Sequence, residues 1–247
     1  AVNLPGAVTL GILPRTPYAR RFARLAHEQG KEIILHLPME AESERPLGPG
    51  GLTQCMTREK FDQTVNDDLT SLPYVRGVNN HMGSRLTQSP MLMEWLMSYL
   101  ARRGGLYFVD SRTTADSQAL DQAGDFDLDS ARRDVFLDDE QDPDYIRGQL
   151  AQLVERAKEK GSAVAIGHPY PKTLSVLETD LPQLQQRGVR LVSVSRLIKL
   201  RKQRRFAWQT SSSPSHRDVK NSKPSPSSTC CAGPASTSSP QGSMSAR

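Results

Sequence analysis

Short apolar runs alternate with amphipathic stretches of helical period from Val8 to Val194, and this alternation restricts the chain more than any other feature. Parallel strands need long crossover connections, usually helical, so sustained strand–helix alternation implies a parallel sheet with right-handed crossovers. Val8–Leu13, Ile33–Leu37, a run ending at Asn79-Asn80-His81, Leu106–Val109, Asp134–Leu137, Ala163–Ile166 and Val189–Val194 read as strands. Pro17 opens a helix with Phe22, Leu25 and Ala26 on one face, and Thr57 caps one whose Phe61, Val65, Leu69 and Leu72 form a stripe. Ser89-Pro90 starts a helix with Met93, Leu96, Met97 and Leu100. Asp142-Pro143 starts another, with Ile146, Leu150, Leu153, Val154 and Ala157, and Thr173 to Gln186 reads as one more. About seven strands with polar residues at several of their ends favour a barrel-like closure over an open doubly wound sheet.

Three of the strands stop at a histidine: Leu35-His36-Leu37-Pro38-Met39-Glu40, Asn79-Asn80-His81-Met82 and Ile166-Gly167-His168-Pro169. A strand that runs apolar and ends on a ligand-capable side chain delivers chemistry to the carboxyl edge of an α/β sheet. A lone strand-end histidine is commonly a hydrogen-bonded structural residue, but three on one sheet point to a site. Neutral imidazole is a favoured zinc ligand, and a catalytic zinc keeps one position open for water. His36 and Glu40 are spaced His-x-x-x-Glu around Pro38, and the Asn79 and Asn80 amides are placed to orient a ligand or bind a polar substrate. Asp110, at the end of Phe108-Val109, reads as a general base, a metal ligand or the partner that fixes a histidine tautomer. Arg112 or Arg85 is the expected cation beside it. Asp134 and Asp138 read as strand flanks, Cys55 as an ordinary thiol, and Ser84 and Ser111 lack the Gly-x-Ser-x-Gly elbow of a nucleophile.

Several function classes find no support. Neither Gly-x-Gly-x-x-Gly nor Gly-x-x-x-x-Gly-Lys-Ser/Thr occurs, so no phosphate-cradling loop marks a nucleotide site, and Gly48-Pro49-Gly50-Gly51 reads as a surface excursion. No run approaches the roughly 20 apolar residues that span a bilayer, and Ala1-Val2-Asn3-Leu4-Pro5 has no signal-peptide character. Cys55, Cys230 and Cys231 make no disulfide framework. After Leu200 the composition turns to Ser, Pro, Thr and basic residues, and that segment carries +7 of a chain whose total is +5, leaving −2 for residues 1–200. A domain over 1–200 followed by a disordered basic Ser/Pro-rich tail over 201–247 is expected, with no nucleic-acid partner.

The segments Leu4-Pro5-Gly6-Ala7-Val8-Thr9-Leu10, Leu35 to Glu40, Gly77 to Arg85, Asp110-Ser111-Arg112-Thr113, Arg133 to Asp138 and Ile166 to Pro169 together resemble the divergent polysaccharide deacetylase family, the YibQ type, over residues 1–198. The resemblance implies a NodB-like irregular (β/α) barrel related to metal-dependent carbohydrate esterases. It implies Zn²⁺ or another divalent metal held by His36 and His81, with Glu40 where the superfamily has a second histidine and His168 as general acid. In that family an Ile-Asp-Asp-Leu/Phe-Gly strand end stands upstream of Leu4-Pro5-Gly6. A barrel lacking its first strand is therefore expected, with a metal site incomplete unless Asp110 or another carboxylate substitutes.

The implied activity is removal of N-acetyl groups from an acetylated polysaccharide or oligosaccharide, with His168 and Asp110 as catalytic groups and His36 and His81 as metal ligands. Glu40, Asn79, Asn80, Arg85 and Arg112 are the expected substrate-binding or supporting residues. The His-x-x-x-Glu departure motivates a rival reading, a non-catalytic carbohydrate- or envelope-binding protein of the same fold. A periplasmic or exported location is expected from the resemblance.

Overall fold

The structure, a computed structural model, describes residues 1–43 and 45–211. Its strands are β1 (Thr9–Ile12), β2 (Glu32–Met39), β3 (Val75–Met82), β4 (Tyr107–Asp110), β5 (Ser130–Arg132), β6 (Val135–Phe136) and β7 (Ala165–Ile166). The helices are α1 (Ala19–Glu28), α2 (Arg58–Ser71), α3 (Pro90–Arg103), α4 (Ala119–Asp125), α5 (Pro143–Lys160), α6 (Pro171–Asp180) and α7 (Val194–Ser211). Strands β1 to β5 form one parallel sheet in sequential order, and β6 and β7 form a separate parallel pair.

Right-handed crossovers that always step to the next neighbour put their helices on one face of the sheet. Burial follows that layout. Leu10 and Ile12 of β1, Ile33, Leu35, Leu37 and Met39 of β2, Val78 of β3 and Phe108 of β4 pack in one cluster with apolar residues of α1 to α4. Because successive strand residues face opposite ways, Ile34, Tyr107, Val109 and Ala131 fall on the other face, where Leu197 and Ile198 of α7 cover them. Gly77 belongs to this inner face, and a Cβ there would sit 2.6 Å from the Tyr107 ring.

Local signals set most boundaries. The Thr57 and Ser89 side chains accept the backbone N–H of Lys60 and Leu92 at the starts of α2 and α3, and Asp142 accepts those of Asp144 and Tyr145 at the start of α5. Gly161 ends α5 in a left-handed conformation, φ 75°.

Four expectations change. Val189 to Val194 is not a strand: Val189 and Leu191 pack on Leu150, Val154 and Leu184 with no ladder partner, and Val194 opens α7. The seventh strand is instead Ser130–Arg132, too short and polar to stand out as an apolar run. Helix α1 buries Ala19, Ala23 and Ala26 and leaves Leu25 exposed, so its small residues face the sheet. The folded part does not stop at Leu200, since α7 continues to Ser211. Arg201 donates to Ser162 Oγ at 2.8 Å, Arg204 to the Gly161 carbonyl at 2.7 Å, and Lys202 pairs with Asp129. The rest of the expected tail, 212–247, lies outside the described residues. Among the described residues no helix is long and apolar enough to cross a membrane.

Candidate active site

Strand alternation explains what gathers at the carboxyl edge. In β2 the residues facing the helices are Ile33, Leu35, Leu37 and Met39, so His36 faces inward with Ile34. Register pairs His36 with Asn79 and Pro38 with His81, which brings the polar end of β3 alongside. Asn79 Oδ1 lies 3.0 Å from His36 Nδ1, and His36 Nε2 lies 3.0 Å from His81 Nδ1, the two rings meeting edge to face. Behind them, Asn79 Nδ2 donates to Ser111 Oγ at 3.1 Å. Ser111 donates through its hydroxyl to the Asn80 carbonyl and through its backbone N–H to Asn80 Oδ1, both at 2.8 Å.

The third histidine comes from the smaller sheet. Phe136 pairs with Ile166, so Asp138 and His168 stand equally far past the ends of β6 and β7. Asp138 Oδ1 lies 3.2 Å from His168 Nδ1, while its Oδ2 accepts the His168 backbone N–H at 2.6 Å and the Thr173 hydroxyl at 2.9 Å. Phe136 and Tyr170 flank the imidazole, with centroids 5.5 and 5.2 Å away.

The electrostatics separate the three rings. Burial, then the charge of His81, push the His36 imidazole down to about 4 against its hydrogen bond to Asn79, which raises it; His168 lowers it further. His81 is lowered by burial and by His168. His168 itself is raised, because its hydrogen bond to Asp138 outweighs burial. Burial alone would raise Asp138, but the hydrogen bonds from His168 and Thr173 hold it below the usual carboxylate range. The edge therefore sets two imidazoles biased toward their neutral form beside one biased toward its cation.

A metal ion fits this donor set in part. A ligand imidazole usually donates its other N–H to an oxygen, as His36 does to Asn79. The 3.0 Å approach of His36 and His81 is close to the edge of about 3.3 Å expected for two nitrogens on one tetrahedral zinc. No group of three or more His, Cys, Asp or Glu is arranged to hold a metal among the described residues.

Other expected site residues are placed elsewhere. Asp110 shares the parity of Phe108, which faces the helices, and its Oδ1 accepts the Arg112 backbone N–H at 2.7 Å, closing its own turn. Neither Arg112 nor Arg85 forms an ion pair with it. The Arg112 side chain is exposed on a residue with φ 51°, and its carbonyl accepts from Arg133 at 2.9 Å. Arg85 lies 3.4 Å from Glu40 Oε1, and Glu40 Oε2 accepts the Gln54 backbone N–H at 2.7 Å, so Glu40 serves the rim beside His36 and is not bonded to a histidine. Asn80 is buried and donates to the Met82 carbonyl at 2.7 Å. Asp138 and Ser111 are the residues that sequence reasoning passed over. Equal spacing from the ends of paired strands was the available signal for Asp138, while Ser111 depends on a contact between β3 and β4 that no local pattern records.

Residues 1–198 match the family model described as divergent polysaccharide deacetylase. The uncharacterized protein YibQ of Escherichia coli (strain K12) is 36% identical over 195 residues, covering 79% of this chain and 60% of that protein. An uncharacterized protein of Haemophilus influenzae is 36% identical over 194 residues, covering 78% and 69%. The chain thus spans about 60% of the length of its Escherichia coli relative. Among solved structures, the uncharacterized protein ATU2773 from Agrobacterium tumefaciens C58 superposes with a TM-score of 0.76 at 25% identity, covering 79% of this chain and 80% of that one.

Proposed function

Since this chain belongs to the divergent polysaccharide deacetylase family, we propose that its carboxyl edge hydrolyses the N-acetyl group of an amino-sugar polymer. The observation that carries this reading is the arrangement of the three histidines: His36 is held by Asn79 with its Nε2 3.0 Å from His81 Nδ1, and His168 is held by Asp138. His36 and His81 are the residues that would hold a divalent metal, zinc by preference for imidazole donors. When bound, such an ion supplies Lewis acidity, polarising an amide carbonyl and lowering the pKa of water.

The chain's own residues do the rest. Asn79 accepts from His36 Nδ1 and leaves Nε2 as the ligand nitrogen. Asp138 holds His168 Nδ1, so its proton at Nε2 is available to the departing amine. Glu40 and Arg85 at the rim offer polar groups to sugar hydroxyls. A periplasmic or exported location belongs to the same proposal and rests on family membership alone.

The test is acetate release from N-acetylated chito-oligosaccharides by the zinc-supplemented chain, with zinc binding followed calorimetrically. The reading expects turnover that a chelator abolishes, and zinc binding lost in His36→Ala and His81→Ala. Saccharide binding without acetate would refute it.

A non-catalytic saccharide- or envelope-binding role is the second reading. It is favoured by the absence of a third protein ligand beside His36 and His81 among the described residues, with Glu40 engaged by Arg85 and Gln54. It expects binding that survives both chelator and His81→Ala.

A further inference from the structure

We propose that Ser111 is a positioning residue that fixes the tautomer of His36, by dictating which end of the Asn79 amide faces the imidazole. A carbonyl only accepts, so the 2.8 Å contact between Ser111 Oγ and the Asn80 carbonyl consumes the one hydroxyl proton that serine has. The remaining lone pairs of Oγ then require a donor, and the group 3.1 Å away is the Asn79 side chain. Its NH₂ must turn toward Ser111 and its Oδ1 toward His36. A carbonyl oxygen 3.0 Å from His36 Nδ1 demands a proton there, which leaves the Nε2 lone pair exposed toward His81.

Every link runs in one direction: His81 Nδ1–H to His36 Nε2, His36 Nδ1–H to Asn79, Asn79 to Ser111, and Ser111 to the β3 backbone. Flipping Asn79 would set its oxygen against a hydroxyl oxygen whose proton is already committed. Turning the hydroxyl round to meet that oxygen would strip the Asn80 carbonyl of its bond in a buried place, a costly exchange. Ser111 and Asn79 are both buried, so water does not relax the constraint. Asn80 completes the lock, accepting from the Ser111 backbone N–H at 2.8 Å and donating to the Met82 carbonyl at 2.7 Å, which holds the serine against β3.

The consequence for a metal rests on reading His36 as a ligand, since the chain of bonds would present Nε2 as a lone pair before any ion arrives. The consequence for the tautomer does not rest on that reading, and the experiment separates the two. Long-range proton–nitrogen spectra of the metal-free full chain at about pH 8, where the imidazole is neutral, report which His36 nitrogen carries the proton. Wild type is expected to show Nδ1–H alone. Ser111→Ala should give a mixed or reversed tautomer, and Ser111→Thr, which keeps the hydroxyl, should restore Nδ1–H. Asn79→Asp combined with Ser111→Ala should also restore it, because both carboxylate oxygens accept and no flip remains to be fixed. Zinc affinity should fall about 10- to 100-fold in Ser111→Ala and recover in the threonine variant. A pure Nδ1–H tautomer in Ser111→Ala, or failure of the aspartate to restore it, overturns the proposal. If the tautomer follows Ser111 but zinc leaves the wild-type His36 signals unmoved, the Ser111 assignment stands and the metal reading fails.

Discussion

At Asp138 a fully buried carboxylate collects three hydrogen bonds, from the ring and backbone of His168 and from Thr173. The pair is linked to pH in both directions. Asp138 is held below its ordinary 3.8, so its contribution to stability is present above that value and is lost as pH falls through the depressed one. His168 is raised above 6.5, so its contribution is present below 6.5 and is lost as pH rises through the raised value. Asp138→Asn should therefore cost most stability between about pH 4 and 6.5 and less at pH 8, as measured by urea unfolding at both ends. The same substitution should lower the His168 titration midpoint followed by NMR. A midpoint that stays raised in the variant would mean that Asp138 is not the cause.

Among the elements, β3 and β4 carry a tight packing constraint on the site's frame, because Gly77 lies beneath the Tyr107 ring whose hydroxyl donates to Glu32 at 2.7 Å. Gly77→Ala should cost about 1–3 kcal/mol through overpacking, whereas Asp142→Ala at the start of α5 should cost about 1 kcal/mol through a lost cap. Denaturant unfolding of the two variants measures these effects, and a Gly77→Ala variant as stable as the wild type would contradict the overpacking. The elements also mark where the sequence was informative. Long strands and capped helices were legible because burial imposes a period: the stripe Phe61, Val65, Leu69 and the run Ile33 to Leu37 sit where that period places them. Val189 to Val194 misled because an apolar run states burial and not a ladder, and β5 was hidden because Ser130-Ala131-Arg132 is defined by pairing with β4. His36 and His81 were legible as strand ends, whereas Asp110 lost its expected role to parity: one position further on, at Ser111, the chain faces the histidines.

Over the whole molecule, α7 ties residues 197–204 to the middle of the chain. Leu197 and Ile198 cover the inner face of the sheet, and the following turns reach Asp129, Asp134, Gly161 and Ser162. Composition alone could not reveal this, because a basic segment with few apolar residues has the same makeup whether solvated or held by acidic partners. Since the Arg201 contacts are partly exposed, Arg201→Ala should cost only up to about 1 kcal/mol and leave the histidine edge intact, as unfolding and His168 NMR of the variant would reveal. Loss of folding would instead make Arg201 part of the core. The proposed activity is amide hydrolysis at this edge with His168 as its acid. The most direct measurement is acetate release from N-acetylated chito-oligosaccharides by the zinc-supplemented full chain, compared with its His168→Gln variant. Turnover by the wild type and a loss of about 10²- to 10⁴-fold in the variant are expected; equal acetate release by the two, or saccharide bound without any acetate, would rule out this chemistry.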